Sequence, residues 1–189
     1  IENLCEEWSD KFDIIYYRNH DNVGNPASNM NQVMELSDGE IIKILCQDDY
    51  LFSTKTLEII AENFTQNYNW LAHGYYHSIE GKPGLLNYHK PKLNPRLYVI
   101  NTIGSPSCVS LRNLNPLPKM DENLHYAYDC EFYYRFLLEF GEPKLLEDAL
   151  MVNYLWEESI TSKITPIFIK KENEYILRKH GFLNDEETS

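Results

Sequence analysis

A short apolar run that ends in two adjacent carboxylates is the feature that most constrains the fold of this chain. Residues 41–45 are Ile-Ile-Lys-Ile-Leu, and Cys46-Gln47-Asp48-Asp49 follows them directly. A run rich in β-branched residues is typical of a strand buried inside a sheet. Because open α/β sheets bind ligands at the carboxyl ends of their strands, Asp48 and Asp49 are candidate ligand-binding residues. Two carboxylates there suit a hard divalent cation and, through it, the phosphates of a nucleotide.

The hydrophobic pattern predicts alternating helices and strands over the first part of the chain. We expect helices at residues 1–10 and 27–36 and from residue 53 or 54 to 64, with strands at 13–18, 41–45 and 70–77. This alternation is typical of a parallel sheet with crossover helices. Beyond Gly84 the pattern predicts a strand at 107–112, a helix at 126–140, a partly extended segment at 144–154 and a last helix at 166–180.

Composition and charge limit the class of partner. The 189 residues are enough for one domain with a full core. A net charge of −12 argues against a nucleic-acid partner, because no basic face is present to neutralise phosphates. An acidic protein that binds an anionic nucleotide needs local compensation, which a bound cation supplies. The cysteines show no CxxC spacing, which indicates reduced thiols in a cytosolic setting, and no apolar run is long enough to predict a membrane span.

A loop and a helix ahead of the carboxylates carry further candidate ligands. Gly24 permits a tight turn close to a ligand, and it follows Asn22 and Val23 in a loop dense in turn-forming residues. Asn31, on the next predicted helix, places a side-chain amide near the strand ends. The free N–H groups at the start of such a helix favour anions. Taken alone, a loop of Asn and Gly is a weak signal of a binding site.

In register, these residues form a compound pattern that resembles the nucleotide-sugar-binding half of glycosyltransferase family 2. The matching positions are Asn22, Gly24, Ala27, Asn31, Gly39, Glu40, Asp48 and Asp49. The resemblance implies a GT-A fold, which is a Rossmann-like α/β architecture. It has three layers, α/β/α, with a central, mostly parallel sheet. It implies one domain over residues 1–183, with a nucleotide-sugar-binding part at 1–84, an acceptor and catalytic part at 85–163, a C-terminal helix at 164–183 and a disordered tail at 184–189.

The resemblance also implies roles for individual residues. Asp129 takes the position of the family's catalytic base, and Asp48 takes that of the ligand for a divalent metal, Mn²⁺ or Mg²⁺. The residues expected to bind the nucleotide-sugar donor are Asn22, Gly24, Asn31, Gln47, Asp48 and Asp49. The residues expected to support the base or contact the acceptor are Glu131, Arg135 and Trp156.

The chain departs from the family pattern at three functional positions and at its start. Cys46 stands where the first acid of the metal motif is expected, Tyr128 where a glutamate precedes the base, and Trp156 where a histidine is frequent. The family's opening strand, helix and strand do not precede Ile1, so we expect an excerpt of a longer protein that binds donors weakly by itself. Two plainer interpretations stay open: a solvated helix cap for Asp48 and Asp49, and an ordinary helix-dipole charge for Asp129.

The function implied is the transfer of a sugar, with inversion, from a nucleotide-sugar donor to a hydroxyl of a glycan or lipid-linked saccharide acceptor. The setting implied is bacterial cell-surface polysaccharide or other glycan biosynthesis, in the cytoplasm or peripherally at the inner face of the membrane. A catalytically silent sugar- or nucleotide-binding module on the same fold is the alternative, and the three departures favour it. A nucleotidyltransferase is a third interpretation, for which a glycine-rich, basic phosphate loop is expected.

Overall fold

The computed structural model describes residues 1–20, 24–157 and 159–183, without the side chains of residues 160 and 161. Its helices are α1 (Glu2–Trp8), α2 (Pro26–Glu35), α3 (Thr56–Asn63), α4 (Tyr128–Phe140), α5 (Ile160–Lys163) and α6 (Pro166–Lys179). Its strands are β1 (Ile41–Lys43), β2 (Tyr50–Leu51), β3 (Trp70–Ile79), β4 (Leu86–His89), β5 (Val109–Arg112) and β6 (Lys144–Leu155). A single turn of 3₁₀ helix, Pro106–Cys108, leads into β5.

The strands form one mixed sheet. The order is β1-β5-β3-β6-β2, and β4 pairs with the far part of β3. The pairs β1/β5, β5/β3, β3/β4 and β2/β6 are antiparallel, and β3/β6 is parallel. The prediction of a mostly parallel sheet is therefore wrong for the described strands. The α/β class is confirmed, whereas the GT-A type stays a prediction.

Helices cover both faces of this sheet. Successive side chains of β3 show this, because they belong alternately to two different hydrophobic cores. Trp70 and Ala72 belong to a core that also contains residues of α2, β1, β5 and α4. Leu71, between them, belongs to a second core with residues of α3 and β6. Successive strand residues point to opposite faces, so α3 lies on one side and α2 with α4 on the other. This agrees with the α/β/α layering that the family resemblance implies.

Most of the predicted elements are present, and one is wrong. All the helices predicted from hydrophobic periodicity occur within a few residues of their expected bounds. Residues 13–18, predicted as a strand, take part in none of the strand pairings of the described residues, and Ile15 and Tyr17 are exposed. A strand is stabilised by ladder hydrogen bonds, so apolar alternation without a partner is insufficient. The predicted tail, 184–189, lies outside the described residues.

Side-chain oxygens cap the N-termini of helices α2 and α6. Asn25 caps α2 by accepting the N–H of Ser28 at 3.1 Å, and Thr165 caps α6 by accepting that of Phe168 at 3.3 Å. These caps satisfy helix N–H groups that have no partner within the helix.

In the part of the chain that the structure describes, we find no helix of the length and apolarity that crossing a membrane requires.

Candidate active site

One large cleft collects the carboxylates that the sequence singles out. Its volume is about 1540 Å³. It lies where β1 ends, where α4 begins and where β6 ends, with the loop before β5 on one side. The lining residues that carry the chemistry discussed below are Lys43, Cys46, Gln47, Asp48, Asp49, Asn101, Gly104, Ser105, Tyr128, Asp129, Asn153, Tyr154 and Trp156.

The turn after β1 presents Asp48 to the cleft. The N–H of Asp49 donates to the carbonyl of Cys46 at 3.1 Å, which closes the turn, and the N–H of Cys46 donates to Ser107 Oγ at 2.9 Å. Trp156 Nε1 donates to Asp48 Oδ2 at 3.2 Å. Among the described residues, Oδ1 of Asp48 has no hydrogen-bond partner. The tryptophan therefore orients this carboxylate while leaving one oxygen for a ligand.

Asp49 joins three segments of the cleft wall. Its Oδ1 accepts the N–H of Tyr154 at 3.2 Å, and its Oδ2 accepts the hydroxyl of Ser105 at 3.5 Å. Asn153 Nδ2 donates to that same hydroxyl at 2.8 Å. Burial raises the pKa of Asp49, and its hydrogen bonds counteract part of that rise. Asp49 thus connects the end of β1 to the loop before β5 and to β6.

Asp129 lies in the first turn of α4, on the cleft floor. Its Oδ2 accepts Nδ2 of Asn101 at 2.7 Å, and its Oδ1 accepts the N–H of Cys130 at 2.7 Å. Burial raises the pKa of Asp129 to about 6, against the opposing effect of these hydrogen bonds. A carboxylate with this pKa is still ionised at neutral pH, and it is a stronger base than an ordinary aspartate.

A half-buried lysine, Lys43, also lines the cleft, and no sequence pattern signals it as part of the site. Lys43 Nζ donates to the carbonyl of Ser107 and is 3.3 Å from Nε2 of His73. Burial lowers the pKa of Lys43 to about 8, and nearby Asp49 acts in the opposite direction. Burial also lowers the pKa of His73 to about 3, so this ring is neutral at physiological pH. Lys43 is thus a cationic group in a cleft that is also lined by the carboxylates of Asp48, Asp49 and Asp129.

Glu131 and Arg135 lie outside the cleft. The side chain of Glu131 is fully buried, and its Oε1 contacts Arg135 Nε at 2.7 Å, Lys179 Nζ at 2.8 Å and His180 Nε2 at 3.2 Å. Burial opposes ionisation of Glu131, but the hydrogen bonds from Arg135 and Lys179 outweigh it and lower its pKa. Glu131 connects α4 to Lys179 of α6, and the expected role of Glu131 and Arg135 in supporting the base or contacting the acceptor stays a prediction.

The predicted donor residues divide into two groups. Gln47, Asp48 and Asp49 line the cleft. Asn31 is buried outside it: its amide donates to Met120 O and Glu122 Oε1, each at 2.9 Å, and accepts from Met120 N at 2.7 Å. Asn31 therefore connects α2 to the segment of residues 120–122, and its expected donor contact stays a prediction.

Among the described residues just before α2, Asn19 lines the cleft. Gly24 does not line it, although its φ of +87° agrees with the tight turn expected there. Asn22 lies outside the described residues.

Two further residues that support the site have no local sequence signal. Asn101 is the hydrogen-bond donor to Asp129. Glu172 of α6 is buried, and its carboxylate accepts the N–H groups of His125, Tyr126 and Ala127 at 2.6, 3.0 and 2.8 Å. It thus fixes the chain just before α4, and with it the position of Asp129. Both contacts are long-range, so no pattern of neighbouring residues announces them.

The residues around Asp48 fit a divalent cation that is shared with a phosphate-bearing ligand. Among the described residues there is no cluster of three or more His, Cys, Asp or Glu side chains able to hold a metal. Mg²⁺ is commonly bound through one or two carboxylates together with substrate phosphates and water, without a complete protein cage. The free oxygen of Asp48 suits that arrangement.

Comparison with solved structures identifies similar folds. The chain is 17% identical to S. aureus TarS residues 1–349 in complex with UDP-GlcNAc, with a TM-score of 0.68, covering 93% of this chain and 53% of that one. For the same TarS fragment in complex with UDP the values are 16%, 0.62, 98% and 60%. A further structure of S. aureus TarS is 14% identical to the chain, with a TM-score of 0.62. That match covers 100% of this chain and 38% of the TarS chain.

These likenesses show the fold alone. The chain spans 38–60% of the length of these TarS structures. No protein-family model matches the chain, and no curated protein matches it. The likeness shows that the chain has a fold similar to that of these TarS structures, while membership of glycosyltransferase family 2 stays a prediction.

Proposed function

We propose that this chain is the catalytic part of a glycosyltransferase that moves a sugar from a nucleotide-sugar donor to a hydroxyl of a glycan or lipid-linked saccharide acceptor. The observation that carries the proposal is the meeting of Asp48 and Asp129 in one cleft. Asp48 has an oxygen free for a ligand, and Asp129 has its pKa raised to about 6. The TarS structures with UDP and UDP-GlcNAc bound support a nucleotide-sugar donor for this fold.

In this reaction Asp129 is the general base. Its carboxylate takes the proton of the acceptor hydroxyl while the hydroxyl oxygen forms a bond to the anomeric carbon of the sugar. The bond from that carbon to the nucleoside diphosphate breaks, and the diphosphate leaves with the electron pair. Attack from the side opposite the leaving group inverts the anomeric configuration.

Asp48, oriented by Trp156, would hold a Mn²⁺ or Mg²⁺ ion together with the donor diphosphate. Such an ion offsets the negative charge of the leaving diphosphate. Asp49 keeps the wall beside Asp48 in place through Ser105 and Tyr154. We place this reaction in the biosynthesis of cell-surface polysaccharide or another glycan, on the cytoplasmic side of the membrane.

The test is turnover and binding in the same chain. With Mn²⁺ and a set of nucleotide sugars that includes UDP-GlcNAc, we expect release of nucleoside diphosphate. Asp129→Asn should lower that turnover about a hundredfold to ten-thousandfold while leaving Mn²⁺-dependent UDP binding, measured by calorimetry, nearly unchanged. Asp148→Asn is the matched control, because Asp148 is exposed on β6 and does not line the cleft.

The pH profile adds a second readout. Because the base must be ionised, kcat/KM should rise as the pH passes about 6 and level off above it. Turnover that Asp129→Asn leaves intact would remove Asp129 from this role. A wild-type chain that binds UDP without turning over any nucleotide sugar would instead support the silent binding module.

A further inference from the structure

The side-chain amide of Asn101 has all of its hydrogen-bonding capacity in use. Its Nδ2 group donates to the carbonyl of Gly104 at 3.1 Å and to Oδ2 of Asp129 at 2.7 Å. Its Oδ1 accepts the N–H groups of Ile103 at 3.1 Å and Gly104 at 2.8 Å. An amide has two N–H donors and an oxygen with two lone pairs, so every site is occupied. The opposite orientation of the amide would lose all four contacts, so its orientation is determined.

The turn that carries Asn101 is itself held in place by close packing. Gly104 has a φ of +122°, and a Cβ there would lie 2.8 Å from the ring of Tyr75 and 2.9 Å from Cys108 Sγ. The carbonyl of Gly104 also accepts the hydroxyl of Tyr133, on α4, at 3.2 Å. Only glycine fits this approach. The turn is therefore fixed against both β3 and α4, and Asn101 is delivered to Asp129 from a rigid support.

The surroundings of Asp129 leave Asn101 with a distinct role. The titratable groups that face Asp129 are Tyr75 on β3 and, in or next to α4, Tyr126, Tyr128, Cys130 and Tyr133. Each has its pKa raised by burial, so none carries a charge near pH 6. Among the described residues, Asn101 is the only side chain outside α4 that hydrogen-bonds Asp129.

We propose that Asn101 is a positioning residue for Asp129: its amide holds Oδ2, favours the ionised carboxylate and directs the remaining lone pairs into the cleft. The inference rests on the proposed function, in which Asp129 takes a proton from the acceptor. A hydrogen bond to a carboxylate stabilises the ionised form, so its loss makes ionisation harder. Removing the amide therefore lowers the ionised fraction of Asp129 more at low pH than at high pH.

The experiment compares three variants of the chain across pH. Asn101→Asp keeps the oxygen that accepts the turn's N–H groups but loses the donor and adds a charge, whereas Asn101→Ala loses both functions. Thr102→Val is the control in the same turn, because Thr102 Oγ1 donates to the carbonyl of Lys92 and does not line the cleft. The readouts are the pH profile of kcat/KM for release of nucleoside diphosphate and the ¹³C titration of the Asp129 carboxyl, assigned with Asp129→Asn.

We expect Asn101→Ala to move the midpoint of both curves upward by about one pH unit, which lowers kcat/KM about fivefold at the wild-type midpoint, about tenfold well below it and much less at high pH. Asn101→Asp should move the midpoint further, because it adds a like charge next to Asp129. Thr102→Val should leave it unchanged. Midpoints equal to that of the wild type in either folded Asn101 variant, with or without a uniform loss of activity, would overturn the proposal.

The two proposals fail in different ways. If the wild-type chain shows no turnover, the proposed function fails, and the ¹³C titration still decides whether Asn101 controls the ionisation of Asp129. If turnover depends on Asp129 but the Asn101 variants keep the wild-type midpoint, only the role of Asn101 fails. Should Asn101→Ala not fold, Asn101→Asp decides the question, because it retains both contacts that close the turn.

Discussion

At the scale of single residues, the burial of the Lys43 ammonium group makes the stability of the fold depend on pH. Burial lowers its pKa to about 8 from the ordinary value of 10.5. Between these two values the unfolded chain binds more protons than the folded chain. The free energy of unfolding that this group contributes therefore rises with pH across this window.

Lys43→Met should remove that dependence. We expect the difference in unfolding free energy between wild type and variant to change, in favour of the wild type, by up to about 3 kcal/mol as the pH rises from about 8 to about 10.5. Urea unfolding across this range measures it, and the comparison cancels the titration of tyrosines and thiols common to both chains. Lys55→Met is the control, because the Lys55 side chain is 69% exposed. Parallel curves for wild type and Lys43→Met would contradict the prediction.

Which site residues are visible in the sequence depends on how local their signal is. Asp48 and Asp49 follow a strand directly, and Asp129 begins a helix, so hydrophobic periodicity and family resemblance place them together in advance. Asn101 has no such marker, because its contact with Asp129 joins residues 28 positions apart. The contacts of Asn31 with Met120 and Glu122 are equally distant along the chain, and no local pattern predicts them.

At the scale of elements, α6 determines how α4 enters the fold. Glu172, on α6, accepts three consecutive backbone N–H groups just ahead of α4, in the segment that delivers Asp129 to the cleft. About two turns further along, Lys179 at the end of α6 and His180, which follows it, contact the buried Glu131 of α4. The two helices are thus joined by buried carboxylates at both ends of their contact.

Replacing Glu172 with Gln should therefore affect both stability and turnover. The amide keeps one acceptor oxygen and loses the charge, so we expect about 2 kcal/mol of destabilisation in urea unfolding. Turnover should fall more than Mn²⁺-dependent UDP binding, because Asp129 loses its support while Asp48 does not. Glu174→Gln, on the same helix, removes only a 3.7 Å pair with Lys170 and should change stability by less than about 0.5 kcal/mol. Equal effects of the two variants would argue against the role of Glu172.

The elements also show what periodicity can and cannot predict. Helices α2, α4 and α6 satisfy most of their hydrogen bonds within their own segments, and the sequence predicts each of them closely. Strand direction is set by which distant segments pair, so β5 next to β1 and β3 makes the sheet antiparallel there, against expectation. Strand β2 was not predicted, because its two residues are extended only through pairing with β6.

At the scale of the whole molecule, excess negative charge is the dominant feature. The net charge at neutral pH is −12, and the excess carboxylates repel one another in the folded state. This repulsion destabilises the fold. The cations that carry structural roles, Lys43, Arg135 and Lys179, are already engaged with partners. Dissolved salt is therefore left to screen the remaining repulsion.

Raising the salt concentration should stabilise the protein at neutral pH. We expect about 1 kcal/mol between low ionic strength and about 0.2 M NaCl, measured as the free energy of unfolding in urea. The matched control is the same series near pH 4.9, the isoelectric point, where the repulsion vanishes and the gain should disappear. A fall in stability with salt at neutral pH would show that the surface ion pairs outweigh the net repulsion.

The contacts that hold the cleft together also set the order in which it can form. Asp48 meets Trp156 across 108 positions of the chain, and Asp49 meets the N–H of Tyr154 across 105. Closing loops of this length costs conformational entropy before the long-range contacts stabilise the chain. Topologies of this kind therefore fold slowly. A ribosome that has made only the first half of the chain has produced both aspartates but neither partner. We therefore expect the carboxylate of Asp48 to be oriented late in biosynthesis, only after β6 has been synthesised and has paired with β3.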